Sequence, residues 1–455
     1  MASARARPVS VETTTTQPPV KTVSIVNQRG VAGPRKGLGT LSAPRARMTA
    51  DAKKWGEVAL GLVCGIGGFL EVGSIATATQ AGAEFGLQLA WVVLLGTAAL
   101  AMLMEMSGRL AIVSKRTFID LLRERFGIRF FMAPLVVVFV VSVLALASEI
   151  GGVSSALAMA TGVGVRWWAL PVALVALLLL WRGTFTVVEQ GTAIFGIVSL
   201  AFAVGAWKLH PQWNAVGHAL VPSAPSHDVA RYWYIAVSIM GASVSPYLFI
   251  FYSSGAIEDR WTMDYINVNR TTAVLGNLFG GGLSVAVLVC AAMVLAPSHE
   301  AADSFDTFAR ILSTPLGRAG LWCFIATLCI TCFGATLEIA LSVAYMLAQG
   351  FGWSWSENLP PKKDARFSMA YSVVIVIAAI AILFGVDPLK LTTVTMVATA
   401  ASLPLTIVPL LVLMNDGDVM SKYVNGWVGN AALIVVSVIA VLLFGAAVPL
   451  QLLAG

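Results

Sequence analysis

Eleven segments of the sequence read as membrane-spanning helices, and this pattern restricts the fold more than any other feature. A spanning helix needs about 20 mostly apolar residues. The segments are residues 55–82, 87–107, 131–160, 167–181, 187–207, 233–256, 271–296, 317–348, 367–385, 391–414 and 426–450. Hydrophobic residues make up 58% of the chain and charged residues only 11%, which is more apolar side chain than a soluble core could bury. The sequence therefore predicts an all-α polytopic membrane protein.

The first and sixth segments contain residues that weaken a helix near the middle of the membrane. The first includes LEVGS (70–74), and the sixth includes MGASVSPY (240–247). Two broken helices five spans apart are typical of a five-plus-five inverted repeat, in which the breaks face each other at the bilayer midplane. The alternative is a pair of Gly/Pro kinks that serve helix packing. The matching positions, and the carboxylate in one break, favour a substrate site.

Four glutamates lie within or near the ends of apolar spans, where a charge at the bilayer centre costs at least about 2.5 kcal/mol. Glu105 is four residues before Arg109, so we expect an ion pair on one helix face. Glu149 and Glu338 have no charged residue near them in the sequence, and each is either a gate or proton residue or a buried hydrogen-bonding group. Glu71 lies in the first break itself, where it could bind a cation, accept a proton or hold a substrate amine.

The cysteines and the absence of enzyme motifs narrow the function further. All five cysteines fall in apolar runs, and Cys329 and Cys332 have CxxC spacing. We interpret this pair as packing residues rather than a redox or metal pair. The sequence contains no P-loop and no nucleophile–base pairing at usable spacing, so no enzymatic activity is expected. No cofactor is indicated, and any bound ion would be a transported cation.

The N-terminal region differs in composition from the rest of the chain. Residues 1–54 contain ten Lys/Arg and two acidic residues, which predicts a disordered basic tail before a transporter domain at 55–455. A nucleic-acid arm or an organelle presequence is the alternative to a cytoplasmic tail that touches anionic lipid. Membrane lipid is the expected partner, not nucleic acid. The loops on the tail's side of the membrane carry 13 Lys/Arg, which favours a cytoplasmic N-terminus. We expect a bacterial inner-membrane protein, and nothing in the sequence indicates an oligomeric state.

Four stretches of the sequence resemble the Nramp family of proton-coupled divalent-metal transporters. They are SIATATQAGAEFGLQLAWVV (74–93), SGRLAIVSKRTFIDLLRERFG (107–127), GASVSPYLFIFYSS (241–254) and AQGF (348–351). The resemblance is colinear over about 55–451 and includes both breaks. It implies a LeuT-type fold with about 11 helices, of which the first and sixth are broken.

The chain departs from this family at the positions of its metal site. The family's Asp-Pro-Gly-Asn corresponds to Glu71-Val72-Gly73-Ser74, and its Met-Pro-His to Ser245-Pro246-Tyr247. The remaining departures are Tyr252 for a second histidine, Leu146 for the first of two acids whose second is kept as Glu149, and Met396 for a glutamine. The backbone carbonyls that the family directs at the metal would come from Gly68 and Ala242.

The resemblance implies a ligand set made of oxygen atoms. The expected ligands are Glu71, Ser74 and Ser245, together with the carbonyls of Gly68 and Ala242. The expected cavity residues are Tyr247, Tyr252 and Met396, and the expected gate or proton residues are Glu149 and Glu338. Serine at 245 removes the thioether that favours transition metals, and oxygen ligands suit hard ions such as Mg²⁺.

These observations predict a secondary transporter that carries a hard or hydrated divalent cation such as Mg²⁺, or secondly Mn²⁺, by alternating access. Two alternatives remain at this stage. The same fold could carry a small organic solute, or the protein could bind a ligand without transporting it.

Overall fold

The computed structural model describes residues 70–182, 197–298, 300–357, 359 and 361–454, which all belong to one compact unit. The predicted tail at 1–54 and the first half of the first span, including Gly68, lie outside the described residues.

Within the described ranges, the regular structure consists of helices and no strands. The α-helices in chain order are α1 (Val72–Phe85), α2 (Ala90–Ser114), α3 (Phe118–Thr161), α4 (Val165–Trp181), α5 (Leu200–Lys208), α6 (Trp213–His218), α7 (Val229–Ser243), α8 (Pro246–Glu258), α9 (Ile266–Val294), α10 (Phe305–Phe351), α11 (Ala365–Leu383), α12 (Pro388–Met414), α13 (Gly417–Met420) and α14 (Trp427–Ala454). Short 3₁₀ turns at Ile197–Ser199, Met263–Tyr265, Ala296–Ser298 and Ser421–Tyr423 connect some of them.

Seven helical stretches in the described part of the chain are long and apolar enough to cross a membrane. They are Ala90–Ser114, Phe118–Thr161, Val229–Glu258, Met263–Ser298, Phe305–Phe351, Ala365–Leu383 and Pro388–Met414. Shorter apolar helices cover Val165–Trp181, Ile197–Lys208 and Trp427–Ile439. Each predicted span after the first overlaps a described helix, while residues 187–196 of the fifth span lie outside the described residues. The predicted all-α membrane architecture is confirmed.

Two helices, α3 and α10, begin well before the spans that the sequence predicted, and both bend at a glycine. α3 bends at Gly127 (φ 75°) and α10 at Gly317 (φ 62°), in the left-handed region that glycine adopts without a steric penalty. The predicted spans began near these bends, at 131 and 317, because the helical residues before the bends are less apolar than those after them. α3 instead starts at Phe118, where the Thr117 hydroxyl accepts a hydrogen bond from the Asp120 N–H at 3.2 Å.

Both predicted breaks coincide with helix ends. α7 ends at Ser243 and α8 begins at Pro246, with Ser245 extended between them (φ −94°, ψ 130°). α1 begins at Val72, directly after an extended Glu71 (φ −85°, ψ 173°). Around them, α9 packs against α1 and α2, α3 against α10 and α12, and α7 against α12 and α14. α1 and α7, the helices that start and end at the two breaks, are thus each packed against longer helices of the core.

Candidate functional site

A hydrogen bond between side chains joins the two breaks. The hydroxyl of Tyr247, in the first turn of α8, donates to Oε2 of Glu71, which precedes α1. Glu71 is 2% exposed and Tyr247 is 3% exposed. The second carboxylate oxygen, Glu71 Oε1, is buried and has no hydrogen-bond partner. A buried carboxylate oxygen without a donor is costly, so it is available to a ligand that reaches this point.

A second buried carboxylate lies at the start of α1. Oε2 of Glu149, on α3, accepts a hydrogen bond from the Val72 N–H at 3.3 Å. The first N–H groups of a helix have no partner within it, and negative charge is favourable there. The Glu71 side chain does not cap its own helix, so Glu149 provides the cap from a residue 77 positions away. Of the two roles considered for Glu149, the buried hydrogen bond is present in the structure. Its Oε1 accepts no well-directed hydrogen bond.

The predicted neutral ligands lie at the same two helix ends. Ser74 is in the first turn of α1, and its buried hydroxyl has no partner. Ser245 donates its hydroxyl to the Gly241 carbonyl at 3.2 Å, which leaves lone pairs on its oxygen. The Ala242 carbonyl is four residues before Pro246, which has no N–H to donate to it. Three uncharged oxygens thus accompany the carboxylates at the breaks.

Met396 on α12 contacts a glycine in each break. A Cβ atom added at Gly73 would lie 2.5 Å from Met396 Sδ, and one added at Gly241 would lie 1.8 Å from the Met396 carbonyl oxygen. Met396 is 1% exposed. Gly73 and Gly241 therefore allow α12 to approach α1 and α7 closely. Met396 also brings a thioether to the first turn of α1.

The other predicted residues are further from this cluster or outside it. Tyr252 packs edge-on against Trp261, with ring centroids 5.5 Å apart, and it lies beside Gly108, so the structure does not bring it to the breaks. Glu338 lies on α10, close enough to interact electrostatically with the side chains of Glu149 and Tyr247. The predicted Glu105–Arg109 ion pair is confirmed at 3.0 Å.

Sequence reasoning did not identify Ser342 as part of the site. Its hydroxyl donates to the Tyr247 backbone carbonyl at 3.1 Å and so ties α8 to α10. Its position in the sequence could have indicated it, since Ser342 follows Glu338 by four residues and therefore lies on the same face of the helix. In the part of the chain that the structure describes, no three His, Cys, Asp or Glu side chains converge as a metal centre. A cation at the breaks would therefore depend on hydroxyl and carbonyl oxygens as well as carboxylates.

An ion pair also joins α1 and α7 at their ends away from the breaks. Arg231 at the start of α7 donates from Nε and Nη2 to the two carboxylate oxygens of Glu84 on α1, at 2.8 Å each. Phe85 stacks on His227 with ring centroids 4.8 Å apart. A bidentate pair of this kind fixes geometry as well as charge, so α1 and α7 are held as one unit.

A membrane protein in which a broken helix, α7 and α8, meets the start of another helix at a buried carboxylate has the architecture of a secondary transporter. The family model for natural resistance-associated macrophage protein-like (Nramp) proteins matches residues 61–448. The chain belongs to the Nramp family.

Curated relatives and solved structures agree with this assignment. The chain is 26% identical to the divalent metal cation transporter MntH of Deinococcus radiodurans over 79% of this chain and 84% of that protein. It is 24% identical to the protein of the same name from Mycobacterium tuberculosis, over 82% and 88%.

Its fold is similar to that of a manganese transporter from Eremococcus coleocola, with a TM-score of 0.69 and 18% identity over 90% of each chain. It also resembles Mhp1, a nucleobase-cation-symport-1 family transporter, with a TM-score of 0.55 and 13% identity over 86% of this chain and 91% of that one. The predicted LeuT-type fold is confirmed.

Proposed function

We propose that this protein carries a divalent metal cation across the membrane by alternating access around the two helix breaks. The observation that carries the proposal is the hydrogen bond from Tyr247 to Glu71, which joins the breaks and leaves Glu71 Oε1 buried without a partner. Glu71 is the charged ligand. The relatives named divalent metal cation transporters support the same class of cargo.

The ligands at the breaks suit a hard ion. Ser74 and Ser245 offer hydroxyl oxygens, Ala242 offers a carbonyl oxygen, and Glu71 offers the charge. The resemblance adds the carbonyl of Gly68, which lies outside the described residues. Mg²⁺ prefers oxygen ligands and keeps several of its waters, so few charged side chains are enough to hold it. Mg²⁺ is the proposed cargo, and Mn²⁺ is the next ion to test. Glu149 and Glu338 are the proposed gate or proton residues.

Uptake into proteoliposomes tests the proposal. Purified protein is reconstituted, and entry of Mg²⁺ and Mn²⁺ is measured against protein-free vesicles, each ion alone and in competition with the other. We expect Mg²⁺ to enter and Mn²⁺ to compete with it. If neither ion enters, the metal proposal fails. A thermal-shift screen of amino acids and nucleobases on the same protein then detects an organic substrate, because a bound ligand raises stability by mass action.

The proposed orientation places the basic tail at 1–54 on the cytoplasmic side of a bacterial inner membrane. The tail contains ten Lys/Arg, so trypsin cleaves it wherever it is accessible. We expect cleavage in inside-out vesicles and protection in right-side-out vesicles. The reverse pattern would contradict this orientation.

A further inference from the structure

Cys332 on α10 lies beside the Glu149 carboxylate at the start of α1. Its side chain is completely buried, and its thiol is within hydrogen-bonding reach of Glu149. Gly152 makes this approach possible, since a Cβ there would lie 2.9 Å from Cys332 Sγ and 3.1 Å from Val72 Cγ2. The thiol therefore reaches the point where α1, α3 and α10 meet.

Glu149 has one buried carboxylate oxygen that no well-directed hydrogen bond satisfies. Its Oε2 is occupied by the Val72 N–H, whereas its Oε1 is buried and accepts no well-directed hydrogen bond. A thiol is a weak donor, so it does not satisfy a buried carboxylate oxygen well. Packing alone accounts for a buried cysteine, but it does not account for the unsatisfied oxygen of the carboxylate beside it.

The charges nearby favour a cation at this point. Glu149 lies so close to Glu71 and Glu338 that ionised carboxylates at these positions would repel one another. The positive end of α1 is already matched by Glu149 Oε2. A cation held between Glu149 Oε1 and Cys332 Sγ would offset the repulsion among the carboxylates.

We propose that Cys332 Sγ and Glu149 Oε1 form a sulfur-containing cation subsite that takes a thiophilic divalent ion such as Cd²⁺. When the ion binds, the Cys332 S–H bond breaks, the sulfur–metal bond forms and the proton is released to water. The thiolate is a soft ligand, so the subsite prefers softer ions than the oxygen atoms of Glu71, Ser74 and Ser245 do. The proposal rests on the proposed function in one respect, namely that a cation enters the membrane interior at the breaks.

The test is a titration of the purified full-length protein with Cd²⁺ in detergent, followed by the ultraviolet absorption that a thiolate gains when it binds Cd²⁺. Three variants and one control are compared with the wild type. The first has its other four cysteines (Cys64, Cys290, Cys323 and Cys329) replaced by serine, the second adds Cys332→Ser, and the third instead adds Glu149→Gln. Cys290→Ser alone is the matched control, because it removes a buried thiol that contacts the Phe202 carbonyl instead of a carboxylate.

We expect saturable absorption from the wild type, from the protein with Cys332 alone and from Cys290→Ser. The absorption should be absent after Cys332→Ser. Glu149→Gln should keep the thiol but weaken binding by about tenfold or more, the scale on which metal sites lose affinity when a supporting group is changed.

A wild-type protein that gains no thiolate absorption overturns the inference, whether or not any variant folds. Absorption that persists after Cys332→Ser overturns it as well. The outcome is separable from that of the proposed function. Thiolate binding without Mg²⁺ or Mn²⁺ uptake would leave the subsite standing and reject the transport proposal, and uptake without thiolate binding would do the reverse.

Discussion

Glu71→Gln should reduce divalent-cation uptake by about 100-fold or more while the protein still folds. Glutamine has the shape of glutamate, and its amide oxygen can accept the Tyr247 hydroxyl that now donates to Glu71 Oε2. The variant therefore loses the charge but keeps the contact between the breaks. Removing one partner of a buried charge pair costs about 3 kcal/mol or more, which is roughly a factor of 100 in affinity.

The measurement is the initial rate of Mg²⁺ and Mn²⁺ uptake in proteoliposomes over a range of ion concentrations. Glu105→Gln is the matched control, because Glu105 is also a glutamate on a spanning helix but is paired with Arg109 at 3.0 Å. We expect the control to transport like the wild type. A folded Glu71→Gln protein with wild-type uptake would show that Glu71 does not hold the cation.

The breaks were predictable because their causes are local in sequence. Pro246 lacks an N–H, so α7 cannot continue through it, and Gly73 with Glu71 marks the corresponding point in the first span. The starts of α3 and α10 were less predictable, since the helical residues before Gly127 and Gly317 are less apolar than those of a spanning helix. Their helical form depends on capping and on packing against neighbours, which hydropathy does not measure.

The partners at the site were not predictable in the same way, because they come from distant parts of the chain. Glu149 caps α1 from 77 residues away, and Ser342 reaches Tyr247 across 95 residues. Glu149 was identified as a buried charge, and its partner required the three-dimensional arrangement. The same holds for Tyr252, whose position on α8 faces Trp261 and not the breaks.

The sulfur atoms near the site were also not predictable from the sequence. Serine at 245 indicated a site without soft ligands, because the resemblance placed the family's thioether at that position. The structure brings two other sulfur atoms towards the start of α1, since Met396 Sδ lies against Gly73, and Cys332 Sγ and the Val72 side chain both lie against Gly152. Whether a site is hard or soft therefore depends on every helix that packs against it, and one aligned position does not decide it.

Gly241→Ala should destabilise the protein by more than about 3 kcal/mol relative to the wild type. We expect this loss to exceed that of Gly73→Ala in the other break. The new Cβ of Gly241→Ala would lie 1.8 Å from the Met396 carbonyl oxygen and 3.0 Å from the Ala400 backbone nitrogen. Both are backbone atoms of α12, so no side-chain rotation relieves the clash. α7 and α12 would have to separate, which opens the packing around the breaks.

Gly73→Ala provides the sharpest comparison, because its new Cβ would clash with the side chain of Met396, whereas that of Gly241→Ala would clash with the Met396 backbone. Its new Cβ would lie 2.5 Å from Met396 Sδ and 2.8 Å from Met396 Cε, at the flexible end of the methionine. Met396→Ala should therefore restore the stability of Gly73→Ala but leave Gly241→Ala unchanged, a difference that a double-mutant cycle measures directly. Gly255→Ala on α8 is the control, since no atom lies within 4 Å of its added Cβ. Thermal unfolding in detergent gives the comparison, and equal rescue of both variants would contradict the close backbone approach of α12 to α7.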